Sequence, residues 1–245
     1  MKKIALTAAA LVGLCVGGSA SAADLAARPY VKSPVAEAAY NWSGFYLGVV
    51  AGANILNNTT VQGDEDLAYM PVNGRALGGN LGATLGYNWQ FNRAVVGIEG
   101  DFSLFTGNTG HLLGYDETYY TQVRSNWLAT IRGRAGYTFD NVLVYLTGGV
   151  AALNAAYTNI YDGFACNDTS EYSGCGTKTT WGLTAGAGME YMLSRNLSLK
   201  AEYLYATFEH ANICDANTAA TTCSYPYIHS IDVNTVRAGL NYHFN

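Results

Sequence analysis

Val236-Arg237-Ala238-Gly239-Leu240-Asn241-Tyr242-His243-Phe244 is the stretch that decides the fold. In an extended chain, successive side chains point to opposite faces. Val236, Ala238, Leu240, Tyr242 and Phe244 therefore share one face, and Arg237, Gly239, Asn241 and His243 share the other. An apolar face ending in aromatics, backed by a face of charge and glycine, describes a strand with lipid on one side and a polar lumen on the other.

The same alternation recurs upstream. Strand patterns fall at 42–54, 75–90, 94–106, 122–139, 142–157, 179–193, 197–209 and 232–244. Phe91-Asn92-Arg93, Asp140-Asn141 and Ser194-Arg195-Asn196 read as tight polar turns. The segments 55–74, 107–121, 158–178 and 210–231 are long and rich in Asn, Asp, Thr, Gly and Tyr. An even strand count, with short turns at one end and long loops at the other, is the transmembrane-barrel layout. The expected fold is all-β: an eight-stranded antiparallel up-and-down transmembrane β-barrel with short periplasmic turns and four long extracellular loops. At 142–157 both faces are apolar or small, so the register of that strand is left open.

A soluble barrel has the same alternation turned inside out. Two features favour lipid outside. The polar face combines charge with glycine, which suits a narrow lumen. The apolar face carries aromatics at the short-turn end: Trp42, Phe45, Trp89, Phe91, Tyr137, Phe139, Tyr191, Tyr242 and Phe244. These read as one interfacial girdle, with Trp127, Trp181, Tyr157 and Tyr205 as candidates for the other.

Lys2 and Lys3 precede an apolar run, Ile4 to Val16, and then small residues. This reads as a secretory signal peptide over 1–22, cleaved between Ala22 and Ala23. The run is too short for a membrane-spanning helix. Leu14 before Cys15 argues against lipoprotein processing. Residues 23–40 read as a periplasmic leader and 41–245 as the barrel domain. Cleavage leaves 11 of the 13 Lys/Arg against 18 Asp/Glu, a formal charge of −7. That excess of acid excludes the basic face that nucleic-acid binding needs. Charged residues make up only 13% of the chain, about half the usual share in soluble domains.

Several stretches, in order, resemble the small outer-membrane barrels known as outer-membrane immunogenic or porin-family proteins, a group with hemin-binding members. They are Asp24-Leu25-Ala26-Ala27-Arg28-Pro29-Tyr30, Trp42-Ser43-Gly44-Phe45-Tyr46, Gly86-Tyr87-Asn88-Trp89-Gln90 and Gly97-Ile98-Glu99-Gly100-Asp101-Phe102. Trp127 to Arg134, Thr147 to Ala151, Lys200 to Tyr205 and the C-terminal strand continue the match. The spacing of Arg237, Gly239, Tyr242 and Phe244 also resembles the C-terminal signal read by the barrel-assembly machinery, with Asn245 as an extra residue. The resemblance implies an integral outer-membrane location in a Gram-negative envelope, among lipid and lipopolysaccharide. It fixes no loop ligand and leaves homo-oligomerisation open.

Glu99 and Asp101 share the polar face with Arg132 and Arg134 on the next strand, and Glu190, Lys200, Glu202 and Arg237 form a second lumen set. Buried charges must pair or bear a heavy desolvation cost. Both sets read as an internal plug; an ion-selective constriction is the alternative. Cys166 and Cys175 share the third long loop, and Cys214 and Cys223 the fourth. In an oxidising compartment they read as disulfides. Proximity favours pairing within each loop among three connectivities. The spacing does not suit zinc, so no metal is expected. There is no H-E-x-x-H, G-x-S-x-G, Walker A or G-x-G-x-x-G, and no catalytic residue or enzyme activity is expected. His111 and His229, beside tyrosines, are the candidate hemin ligands that the resemblance suggests; otherwise no cofactor is expected. The functional expectation is a structural barrel that supports the envelope and displays variable, antigenic loops. A narrow porin and a surface hemin-binding protein are the alternatives.

Overall fold

The computed structural model describes residues 40–62, 72–107, 109–113, 119–161, 175–213 and 227–244, all within the unit Ala38–Asn245. Eight long strands carry the fold: β1 Gly44–Gln62, β2 Val72–Phe91, β3 Ala94–Thr106, β5 Tyr119–Phe139, β6 Val142–Tyr161, β7 Cys175–Met192, β8 Leu197–Phe208 and β10 Tyr227–Phe244. Two short pieces, β4 Thr109–Leu113 and β9 Ala211–Ile213, pair with β5 and β10. The long strands hydrogen-bond in sequence, each antiparallel to the next. β10 returns to β1 in a continuous register from Phe45–Phe244 to Gln62–Tyr227, which closes the barrel. Closure leaves no open edge among these strands, as a lipid environment demands.

The tight turns follow from their residues. Asn92 and Asp140 adopt the left-handed backbone conformation, at φ 57° and 52°. Short polar side chains tolerate it where most residues do not. The third turn is tied by Leu193 N donating to Leu197 O at 2.8 Å.

The expected face assignments hold along most strands. Leu81, Leu85, Ile98, Phe102, Ile131, Leu183 and Leu240 point outward and are exposed, while Thr84, Glu99, Asp101, Thr130, Arg132, Thr184 and Arg237 point in and are buried. The strand left open is now assigned. Leu143, Tyr145, Thr147, Ala151, Leu153, Ala155 and Tyr157 of β6 face the lumen, and Val144, Leu146 and Val150 face outward. Its lumen face is apolar because it contributes to two packed layers inside the barrel.

Three expectations need correction. The strands run beyond the apolar pattern at the long-loop end. Residues 55–62, 72–74, 109–113, 119–121, 158–161, 175–178, 211–213 and 227–231 are extended, not loop. Trp42 does not belong to the lipid-facing girdle. It is fully buried inside the tight-turn end, against Val95, Leu143, Tyr145 and Met192. Tyr157 is also buried in the lumen, so of the proposed second girdle only Trp127, Trp181 and Tyr205 reach the outer wall.

The interior is layered. Trp42, Val95, Leu143, Tyr145 and Met192, with Tyr40 against them, fill the tight-turn end. Leu56, Phe105, Leu128, Leu153, Tyr157, Phe208, Ile231 and Val233 belong to an apolar cluster toward the long-loop end. The charged residues lie between these layers.

Candidate functional site in the barrel lumen

Arg132 of β5 is the hub. Its Nη2 pairs with Glu99 and, at 2.9 Å, with Asp101 of β3; its Nη1 reaches Glu202 of β8 at 3.1 Å. Lys200 of β8 donates to both carboxylate oxygens of Glu99 at 2.7 Å. Arg237 of β10 donates from Nε to Glu202 at 2.7 Å and from Nη1 to Asp101 at 2.9 Å. Arg134 of β5 binds Glu190 of β7 at 2.6 Å and lies 3.7 Å from Glu99. The sequence divides these residues into two sets. The structure joins them through Arg132, Lys200 and Glu99 into one network that crosses the lumen.

Uncharged groups complete it. The Tyr46 hydroxyl donates to Glu99 at 2.7 Å and the Tyr145 hydroxyl to Glu202 at 3.0 Å. Arg134 lies between the two rings, 4.7 Å from Tyr46 and 5.0 Å from Tyr145, so each π face offers it cation–π stabilisation. Room for both tyrosines comes from glycines opposite them. A Cβ on Gly86 would strike the Tyr46 ring, and one on Gly188 the Tyr145 ring. At the tight-turn end, Ser198 bonds Glu190 at 3.2 Å and His243 Nε2 at 2.9 Å. His243 meets Trp42 edge to face. Sequence reasoning missed Tyr46, Tyr145 and Ser198. For Tyr46 and Ser198 the lumen-facing parity was the available signal; for Tyr145 there was none, because the register at 142–157 could not be read.

The eight ionisable residues are four carboxylates and four cations, all at most 6% exposed. A selective constriction presents one sign of charge to a passing ion. This set is neutral and mutually hydrogen-bonded, with its charged groups directed at one another.

The other expected sites fare differently. His229 is not a solvated loop residue. It lies on β10, buried in the lumen, its ring centroid 4.8 Å from that of Tyr157. That position does not suit capture of a ligand from the surface. His111 lies on β4, but its side chain is outside the described residues. So are Ala22, Ala23, Cys166, Cys214, Cys223 and the Cys175 side chain. Among the described residues, no group of three metal-donor side chains converges. Arg237 belongs to the charge network, Gly239 abuts Val49 and Val50 of β1, and Tyr242 and Phe244 face outward.

A closed barrel with an apolar outer belt and a polar, charge-paired lumen defines a membrane-spanning β-barrel protein. Residues 6–244 match the family model for the outer membrane protein beta-barrel domain. The chain is 32% identical over 250 residues to a 31 kDa outer-membrane immunogenic protein of Brucella melitensis, covering 92% of this chain and 94% of that one. It is 30% identical over 213 residues to a 22 kDa outer membrane protein of Rhizobium leguminosarum, covering 87% and 82%. Among solved structures, the outer membrane protein OprG of Pseudomonas aeruginosa aligns with a TM-score of 0.50 at 12% identity, over 82% of this chain and 97% of that one. The chain belongs to the outer-membrane β-barrel family and is an integral protein of the outer membrane.

Proposed function

We propose that this protein is a non-enzymatic structural element of the outer membrane, supporting the envelope and displaying antigenic loops, with a barrel closed to solute flow. The observation that carries the reading is the neutral network across the lumen, packed between two apolar layers. Eight strands leave a lumen that side chains can fill. Residues 1–22 serve as the export signal, and the C-terminal strand as the segment read by the barrel-assembly machinery. The tight turns face the periplasm and the long loops the exterior. Lipid surrounds the apolar belt, and the relatives named immunogenic are consistent with surface display.

Deletion of the gene tests this directly. Loss of the protein should raise sensitivity to detergent and chelator, and leave uptake of small hydrophilic solutes unchanged. A slower solute uptake with an intact envelope would favour the narrow-pore reading.

A further inference from the structure

Arg75 is exposed on β2, one pleat row beyond Leu77 toward the long-loop end. Among the described residues, none forms an ion pair with it. The ladders align Tyr205, Asn234, Ile55 and Leu77 in one row across β8, β10, β1 and β2. Asp232, Asn57 and Arg75 align in the next row outward. Ala53 and Gly79 sit in the row below. Ala53 carries only a methyl group and Gly79 no side chain, and a groove of about 500 Å³ opens in the outer wall here.

The groove changes character along its length. Its lining is apolar toward the belt, at Ala53, Val236, Ile55 and Leu77, and polar toward the long-loop end, at Asn234, Asn57 and Arg75. The Tyr203 hydroxyl donates to Asn234 Oδ1 at 2.7 Å, so the Asn234 amide hydrogens remain as donors. The neighbouring acid, Asp232, accepts from the Tyr205 hydroxyl at 3.1 Å and lies on the far side of Asn57 from Arg75. The end toward the long loops is therefore cationic and rich in donors, and the end toward the belt offers apolar surface to a hydrocarbon chain. A guanidinium matches the geometry of a phosphate and binds it through two parallel hydrogen bonds. A cation at the boundary of the hydrocarbon region also needs a partner or water. Arg75 lies one pleat, about 7 Å along the strand, beyond Leu77 toward the long-loop end.

We propose that this groove holds one phosphorylated acyl lipid of the outer leaflet, with its phosphate on Arg75, Asn57 and Asn234 and an acyl chain along Ala53, Val236 and Leu77. This rests on the reading that the long-loop end faces outward. The test titrates the full-length protein in neutral detergent with diphosphorylated lipid A and counts bound lipid by native mass spectrometry. One copy should be retained. Arg75→Gln should weaken retention by about tenfold or more, while Arg124→Gln, an exposed arginine of β5 outside the groove, should not. Dephosphorylated lipid should bind the parent and Arg75→Gln alike. Equal retention of phosphorylated lipid by the parent and Arg75→Gln, or equal loss in Arg124→Gln, would overturn the site. Preference for phosphatidylglycerol over lipid A would overturn the outer-leaflet occupant. An epitope inserted between residues 63 and 71, read by antibody on intact cells, reports orientation separately.

Discussion

Gly86 and Gly188 have no side chain because tyrosine rings occupy the space one would need. Gly86→Ala should push Tyr46 away from Glu99 and destabilise the barrel by about 1–3 kcal/mol, the usual range for overpacking. The urea midpoint of the detergent-solubilised protein reads this out; an unchanged midpoint would mean that Tyr46 moves freely. His229 makes a second residue-scale prediction. It lies beyond the outer aromatic row, and burial lowers its pKa to about 4. An unfolded chain protonates its imidazole near pH 6.5. Above that pH both states are neutral and the stability is fully present. As pH falls from about 6.5 to 4, the unfolded state takes up a proton that the folded state refuses, and stability drops by about 3 kcal/mol. His229→Gln should flatten that part of the stability–pH profile, and an equally steep profile in the variant would remove His229 as its cause. The eight charges were legible from parity alone, since each lies on the polar face of an alternating strand. His229 was not, because it falls in the segment 210–231, whose polar composition reads as loop.

Strand ends show where periodicity stops carrying information. Within the apolar belt, lipid on one side and lumen on the other impose a period of two, and β2, β3, β5, β7 and β8 were readable from it. Beyond the belt water lies outside, so the pattern fades while the backbone ladder continues. Asn57, Asn58, Thr59 and Thr60 read as loop yet pair with Asp232, Ile231, Ser230 and His229. Hydrogen exchange should find the amides of 57–60 that bond across this pairing exchanging far more slowly than in an unfolded chain. Exchange there at the unfolded rate would contradict the extended ladder. β6 failed for the opposite reason, since the apolar layers of the lumen place Leu143 and Leu153 on its inner face. For the loops, we propose disulfides Cys166–Cys175 and Cys214–Cys223. Mass mapping of unreduced peptides should find those two links, and reduction should leave strand content unchanged. A Cys166–Cys214 link or free thiols throughout would defeat the pairing.

At the scale of the whole molecule, the charge network and the apolar layers on either side of it fill the lumen. Membrane class, strand count and the charged residues could be read from the chain. The apolar layers at either end of the network could not, because an inward leucine and a lipid-facing leucine are indistinguishable until the register is known. The network links β3, β5, β7, β8 and β10, so it also opposes slippage, since a one-residue shift of any of these strands would turn that strand's charges toward lipid. Replacing Arg132 and Arg134 together by Ala would take from Glu190 the guanidinium it pairs with, and from Glu99, Asp101 and Glu202 one cation each, leaving them Lys200 and Arg237. Removing one side of a buried pair typically costs about 3–5 kcal/mol, and the variant should unfold at correspondingly lower urea. The most direct test of the closed lumen is steady conductance of the purified parent protein in a planar lipid bilayer. A plugged barrel predicts essentially none, with current arising only in the Arg132→Ala/Arg134→Ala variant as water enters. Stable conductance by the parent, altered in the variant only in its ion selectivity, would contradict the plug and make the charge network the lining of a pore.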